Sequence, residues 1–299
     1  MDTPLLQALA AVAETGSVSR AAETLHLAQP SVSKRIAALE AALGQKLFDR
    51  VRRRLQLTDA GRAYLPHALE ALRHLEDGRR SVSGLSGQVS GRLSIGTSHH
   101  IGLHRLPAVL KSFTLEFPDV DLDIHFMDSE IACQAVLAGK LELGIVTLPT
   151  QPLPNLESHE IWPDPLAVVA APEHPLAKKR RVRLPELADF PAVLPDEATY
   201  THRIIKAELQ KHGVTPRVRL ATNYLETLKM LAAIGLGWGV LPRSMLDRSL
   251  RPIPVAGLKM QRSLGAVWHA RRTRSGAAMA LIGRLRSPPR RKQTRRYTT

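Results

Sequence analysis

At 299 residues, 44% of them apolar, the chain is long enough for two or three packed domains and too apolar for wholesale disorder. A single cysteine, Cys133, excludes an intramolecular disulfide framework and a multi-cysteine metal site. The net charge of +15 favours a polyanionic partner, although much of the excess lies after Arg262, where no acidic residue remains.

The opening MDTPLLQALAAV lacks the basic start of a signal peptide, and no apolar run approaches the ~18 residues that span a bilayer. A soluble, cytoplasmic protein without a membrane partner is expected. Leu5, Leu6, Leu9 and Val12 mark the apolar face of a first helix, which breaks at Thr15-Gly16. Ser17 then caps a second helix with Ala21, Ala22 and Leu25 on its inner face. Pro30 suits the first turn of a third helix, where its missing N–H is not needed, and Gly44 suits that helix's end. Leu47-Phe48 and Leu55–Leu57 look like short strands flanking the basic stretch Asp49–Arg54, a wing. From Thr58 to about Ser83 one helix carries the stripe Leu65, Ala68, Leu69, Leu72 and Leu75. Too little chain surrounds it to bury the stripe, so pairing with another copy is expected. Residues 81–91, SVSGLSGQVSG, read as a linker.

Strands and helices then alternate. LSIGT, VDLDIHFM and LELGIVTL are strands separated by helices, which implies parallel pairing with right-handed crossovers. Proline-rich QPLPNLES breaks the series, and a second group follows from PLAVVAAP to GVLP. Two α/β groups joined by crossing segments suggest two lobes around a cleft. The expected domains are 1–58, a winged helix-turn-helix; 59–91, a pairing helix and hinge; and 92–286, the two-lobed α/β domain. Lobe I takes about 92–162 and 262–286, lobe II about 163–261. Residues 287–299, SPPRRKQTRRYTT, read as a basic, disordered tail.

Two helices joined by a tight turn, the second opened by proline, make a helix-turn-helix whose leading end enters the major groove. That accounts for short or bidentate polar groups at Gln29, Ser31 and Ser33 beside Pro30, with Lys34 and Arg35 one turn in and Ser17 opening the preceding helix. Arg50, Arg52, Arg53 and Arg54 in the wing suit phosphate or minor-groove contact. The alternative is an ordinary helical hairpin with a solvated basic face; the wing and the following helix weigh against it.

At this point GSVSRAAETLHLAQPSVSKRIAALEAALGQKLFDRVRRRLQLTDAG resembles the winged helix-turn-helix of LysR-type transcriptional regulators, with GS, AA, QP, SxxI, LE, LG, LF and LTxAG in order. FPDVDLDI, LAGKLELGIV, HPLA and ETLKMLAAIGLGWGVLP are similar to stretches of that family's effector domain, and the likeness covers about residues 3–285. The resemblance implies a regulator binding double-stranded promoter DNA as a dimer through 58–83 and as a homotetramer, with RNA polymerase as a further partner. It also implies a domain like a periplasmic binding protein, in whose cleft a small-molecule inducer alters DNA bending. No other cofactor is expected.

In such lobes ligands bind beyond the carboxyl ends of strands. Thr97, Ser98, His99 and His100 follow one strand, Ser129 the next, Thr147 the crossover; Thr201, His202 and Arg203 open a helix, and Asn223 precedes another. Similar positions contact inducer in the family, and hydroxyls with a cationic Arg203 suit an anion. The alternative is that some of these are helix caps, Thr147 and Asn223 foremost. His99 and His100, with His104 and His125 near in sequence, raise a metal site, but imidazoles hydrogen-bonded to ligand or backbone are the expectation. Cys133 reads as core packing rather than a redox sensor, and Trp162, Trp238 and Trp268 as packing residues.

An enzyme is the first rival, yet the chain holds no GxSxG, P-loop or HExxH motif, and its glycine-rich GLGWG follows a helix rather than opening one. That stretch suits close helix–strand packing. A carrier protein is opposed by the fused winged helix. An architectural DNA-binder would show little sequence discrimination.

Overall fold

The computed structural model describes residues 2–51, 54–83 and 89–286, and divides into two compact units, one ending at Val82 and the other beginning at Ser83. In the first, α1 (Thr3–Thr15), α2 (Val18–Thr24) and α3 (Gln29–Leu43) precede a hairpin of β1 (Phe48–Val51) and β2 (Arg54–Leu57). Gly16 and Gly44 end α1 and α3 at φ 64°, a left-handed backbone that glycine adopts without a Cβ clash. Leu9, Val12, Ala21, Val32, Ile36, Leu39 and Leu47 meet in one core.

The long helix α4 (Asp59–Ser83) follows, its start capped by Thr58, whose hydroxyl accepts from the Gly61 N–H at 3.0 Å. A Cβ at Gly61 would lie 2.2 Å from the Leu47 carbonyl oxygen, so only glycine lets α4 approach the hairpin this closely. The expectation that the α4 stripe lies wholly open is corrected. Ala68 is buried and Leu65 and Leu72 are half-buried against the helix-turn-helix core, while Leu69 and Leu75 are 39% and 50% exposed. The expected linker is also shorter than 81–91: α4 continues through Ser83 and a strand begins at Gly91. Residues 84–88 and the basic tail 287–299 lie outside the described residues.

Among its described residues the second unit contains one nine-stranded sheet. One parallel group is β3 (Gly91–Thr97), β4 (Val120–Phe126) and β5 (Leu143–Thr147), with α5 (His99–His104), α6 (Leu106–Glu116) and α7 (Ser129–Leu137) in the crossovers. The chain then crosses on β6 (Leu156–Ala170). The second group is β7 (Pro191–Leu194), β8 (Arg217–Ala221) and β9 (Trp238–Pro242), with α8 (Tyr200–Gln210) and α9 (Leu225–Ala233). A two-residue β10 (Arg251–Pro252) pairs with β6; β11 (Met260–His269) returns antiparallel to β6 and β5; α10 (Gly276–Arg286) closes the first lobe.

Two expectations change here. QPLPNLES is not wholly a break, because β6 starts at Leu156 and runs fifteen residues, with Pro163 and Pro165 paired opposite Ser263 and Gln261. A bulge near Gly265 accommodates the irregularity. The GLGWG stretch serves strand–strand contact more than helix–strand contact: a Cβ on Gly237 would sit 2.4 Å from the Pro191 carbonyl oxygen of β7. Each lobe has its own core, around Phe113, Ile145 and Leu281 in the first and around Leu176, Leu194 and Trp238 in the second. No helix among the described residues is long and apolar enough to cross a membrane.

Candidate DNA interface and effector cleft

The leading edge of α3 exposes Gln29, Pro30, Ser31, Ser33 and Lys34, with Arg35 half-buried. No side chain caps this helix; Pro30 carries no N–H, and the Ser31 and Val32 N–H groups donate to the Ala28 carbonyl at 2.9 and 3.4 Å. Ser17 acts differently, as the cap of α2, where its hydroxyl accepts from the Arg20 N–H at 3.5 Å. Together with Gly16, Ser19, Gln29, Ser33 and Leu55 it lines a polar groove where α2, α3 and the hairpin meet. Behind α3, Glu40 is buried and accepts from the N–H groups of Leu47 and Phe48 at 2.9 and 3.4 Å, and from Lys46 at 2.7 Å. Burial opposes its charge, but Lys46 and the two amides outweigh that and hold the carboxyl below its usual range. Glu40 thus fixes the hairpin to α3. Arg52 and Arg53 lie outside the described residues, as do the side chains of Arg50 and Arg54.

In the second unit a cleft between the lobes encloses about 50 Å³ and is lined by Ser98, His100, Ser129, Thr147, Thr201 and Arg262 among others. The Ser129 hydroxyl accepts from the Thr147 N–H at 3.0 Å. Ser98 precedes α5 without using its side chain as a cap. His99 is exposed at the rim of the same cleft, stacked on Phe126 with ring centres 5.2 Å apart and tilted 4.9 Å from Tyr224. Asn223 accepts from the Asp196 N–H and donates to Asp128 at 2.7 Å, joining the two lobes across the cleft mouth. Glu130 of the first lobe likewise accepts the Tyr200 N–H of the second. Burial lifts the Glu130 carboxyl, although that hydrogen bond opposes the shift.

Three of the expected positions do not face the cleft. The Thr97 hydroxyl is buried and donates to the Ile145 carbonyl at 2.8 Å, so it serves the sheet. His202 is turned away to a separate depression beside Leu194 and Lys206, its Nδ1 2.8 Å from the Pro195 carbonyl oxygen. Arg203 is exposed, donates to the Ala198 carbonyl and lies over the Tyr200 ring. The turn of the helix separates these side chains from the inward-facing Thr201.

The cation of the cleft is instead Arg262 on β11, which is 4% exposed. Its Nε donates to Asp164 at 2.7 Å and one terminal nitrogen to the Thr201 hydroxyl at 3.2 Å. The other terminal nitrogen has no hydrogen-bond partner among the described residues. Asp164, 1% exposed, also accepts from Arg105 at 3.1 Å, so one carboxylate faces two guanidinium groups. Burial pulls the Arg262 pKa down while Asp164 opposes it, and a guanidinium stays charged regardless. Burial, with Arg262 close by, pushes His100 down to about 4, so its imidazole is neutral at neutral pH. Cys133 is fully buried and its thiol is pushed up to about 11 by burial, which suits a packing role. Trp238 is fully buried and donates to the Leu187 carbonyl; Trp162 and Trp268 are half-buried on the first lobe's core.

A helix-turn-helix with a short hairpin, followed by two α/β lobes around a polar cleft, defines a DNA-binding regulator with its own effector domain. A family model described as a bacterial regulatory helix-turn-helix protein of the lysR family matches residues 4–62, and one described as the LysR substrate binding domain matches 86–288. The chain belongs to the LysR family of transcriptional regulators. It is 63% identical over 107 residues to an uncharacterized HTH-type transcriptional regulator of Azotobacter vinelandii, a match covering 36% of this chain and 74% of that one. It is 28% identical over 285 residues to a probable RuBisCO transcriptional regulator of Trichormus variabilis, covering 92% and 85%. A full-length OxyR variant from Pseudomonas aeruginosa superposes with a TM-score of 0.72 at 24% identity, covering 96% and 95% of the two chains, and shares the fold. These relatives are regulators rather than enzymes, and the chain is a DNA-binding regulator.

Proposed function

We propose that the cleft binds a small anion, one oxygen of which is received by Arg262, and that this binding controls how the protein engages and bends promoter DNA. The observation that carries the reading is the free terminal nitrogen of Arg262, buried and bordering the cleft. A buried, unpaired donor of this kind costs free energy that a carboxylate or similar oxyanion would recover. Ser98, Thr201 and Ser129 add hydroxyls to the same lining. Asn223–Asp128 and Tyr200–Glu130 join the lobes, so a ligand that changes the lobe spacing acts through those contacts.

On the DNA side, Gln29, Ser31 and Ser33 read base edges, Lys34 and Arg35 reach backbone, and the wing arginines contact phosphate. Dimers form through the exposed part of the α4 stripe and assemble into tetramers that contact RNA polymerase; the protein works in the cytoplasm, where promoter DNA is.

The test is calorimetric titration of full-length protein with a panel of small carboxylates and inorganic oxyanions, repeated on Arg262→Lys, which keeps the charge and loses the fork. Saturable binding that Arg262→Lys weakens supports the anion reading. Binding confined to neutral molecules, or unchanged in the variant, overturns it.

A further inference from the structure

We propose that His100, His104 and Glu226 form a binding site for a divalent transition metal, of the Zn²⁺ class, that ties the two lobes together. His100 and His104 stand one turn apart on α5 of the first lobe, and Glu226 on α9 of the second faces both. The His104 Nε2 is 3.0 Å and the His100 Nδ1 3.8 Å from Glu226 Oε1, and one ligand atom from each of the three lies within 4.8 Å of the others. Four-coordinate zinc with bonds of about 2.0–2.1 Å places its ligand atoms ~3.3 Å apart, so modest side-chain rotation closes the set. Two histidines spaced i, i+4 with a carboxylate from another element make an imidazole-rich donor set suited to this metal class.

The second observation is independent of spacing. His100 is only 4% exposed, yet neither ring nitrogen has a hydrogen-bond partner among the described residues. A buried imidazole without partners is costly, and coordination removes that cost. The neighbouring cations Arg262 and Arg105 are both engaged with Asp164, which offsets their repulsion of a metal ion. Of the other histidines considered from the sequence, His99 stacks on Phe126 and His125 pairs with Asp123 at 2.9 Å. Three protein ligands leave a fourth position, and His100 lines the cleft, so water or a cleft ligand can fill it. The bound ion would hold the lobes closed by bridging α5 and α9.

The probe is Zn²⁺ itself, titrated into metal-free full-length protein against a chromophoric chelator, with Co²⁺ absorption reporting coordination geometry. The expected result is one Zn²⁺ per chain bound in preference to surface histidines, with tetrahedral Co²⁺ bands and a Zn²⁺-dependent rise in Tm. His104→Gln and Glu226→Gln should each weaken that site by more than about tenfold, since loss even of an outer-shell partner costs roughly 10–100-fold. His125→Gln should match wild type. Both test positions are partly exposed, and unchanged Tm without metal checks their folding. Equal affinity in wild type, His104→Gln and Glu226→Gln, or no stoichiometric site, overturns the proposal. The anion reading fails separately, on the Arg262→Lys titration with metal absent.

Discussion

In the helix-turn-helix the polar residues of α3 stand exposed on a core that is complete without them, whereas in the cleft the polar residues are part of the packing. Gln29, Ser31 and Ser33 are exposed, and Val32, Ile36 and Leu39 hold the helix from its other face. Arg262, Asp164 and Thr201 are each less than a tenth exposed, and Arg262 bonds to both of the others. The difference separates function from stability in the first unit and couples them in the second. On the proposed reading, DNA preference changes by substitution without touching the fold, while effector specificity changes by rearranging a buried charge network.

Asp164→Asn is the most forceful way to test this coupling. It leaves Arg262 buried without its countercharge, and Arg105 loses the same partner. Removing one member of a buried ion pair costs ~3–5 kcal/mol. A large fall in the Tm of the second unit is expected, measured by calorimetry on the full chain. A Tm within a degree of wild type would show that the network contributes no stability and would dissolve the contrast.

The same contrast explains what was legible in the sequence. The DNA-reading end is local: a cap at Ser17, a proline at the start of α3 and glycine terminators act within a few residues of the groups they position. The cleft is assembled from residues far apart in the chain, such as Asp164 and Arg262, so adjacency misled. Arg203 sits close to Thr201 in sequence but a helix turns it outward, and His202 likewise. A signal for Arg262 was present, because it alternates with Met260 and Leu264 on one buried strand face. An arginine on such a face needs a buried acid, and none follows it in the chain. The prolines of β6 hid that strand's length, and with it the position of Asp164.

Self-association sharpens the comparison from the side of α4. Ala68, Leu65 and Leu72 already serve the unit's own core, which leaves Leu69 and Leu75 as the apolar groups free for a second copy. Burying a leucine contributes ~1.5–3 kcal/mol, so Leu69→Glu with Leu75→Glu should drive the protein to monomer at micromolar concentration in sedimentation velocity, with the monomer's Tm retained. A dimer of unchanged affinity would remove α4 as the pairing element.

Gln29→Ala and Ser33→Ala should leave Tm nearly unchanged, within about 0.5 kcal/mol of stability, while discrimination falls by ~1–3 kcal/mol per contacted base pair. Selection of bound sites from random duplex DNA reads this directly. Equal loss of affinity for selected and random DNA would move the reading edge off the start of α3.

The smallest effect lies at Glu40, where the first unit has a buried carboxylate of its own and so departs from the otherwise neutral packing behind α3. Its folded pKa is depressed below the ordinary 4.5. A depressed carboxylate contributes stability that is fully present above that value and is lost as pH falls through the folded pKa. Glu40→Gln keeps one acceptor oxygen and gives up the charge, a loss of about 1 kcal/mol at neutral pH. Urea midpoints of the two proteins should differ at pH 7 and converge below pH 4.5 as Glu40 protonates. A gap that persists unchanged to low pH would mean that shape alone, and not the carboxylate's charge, fixes the hairpin to α3.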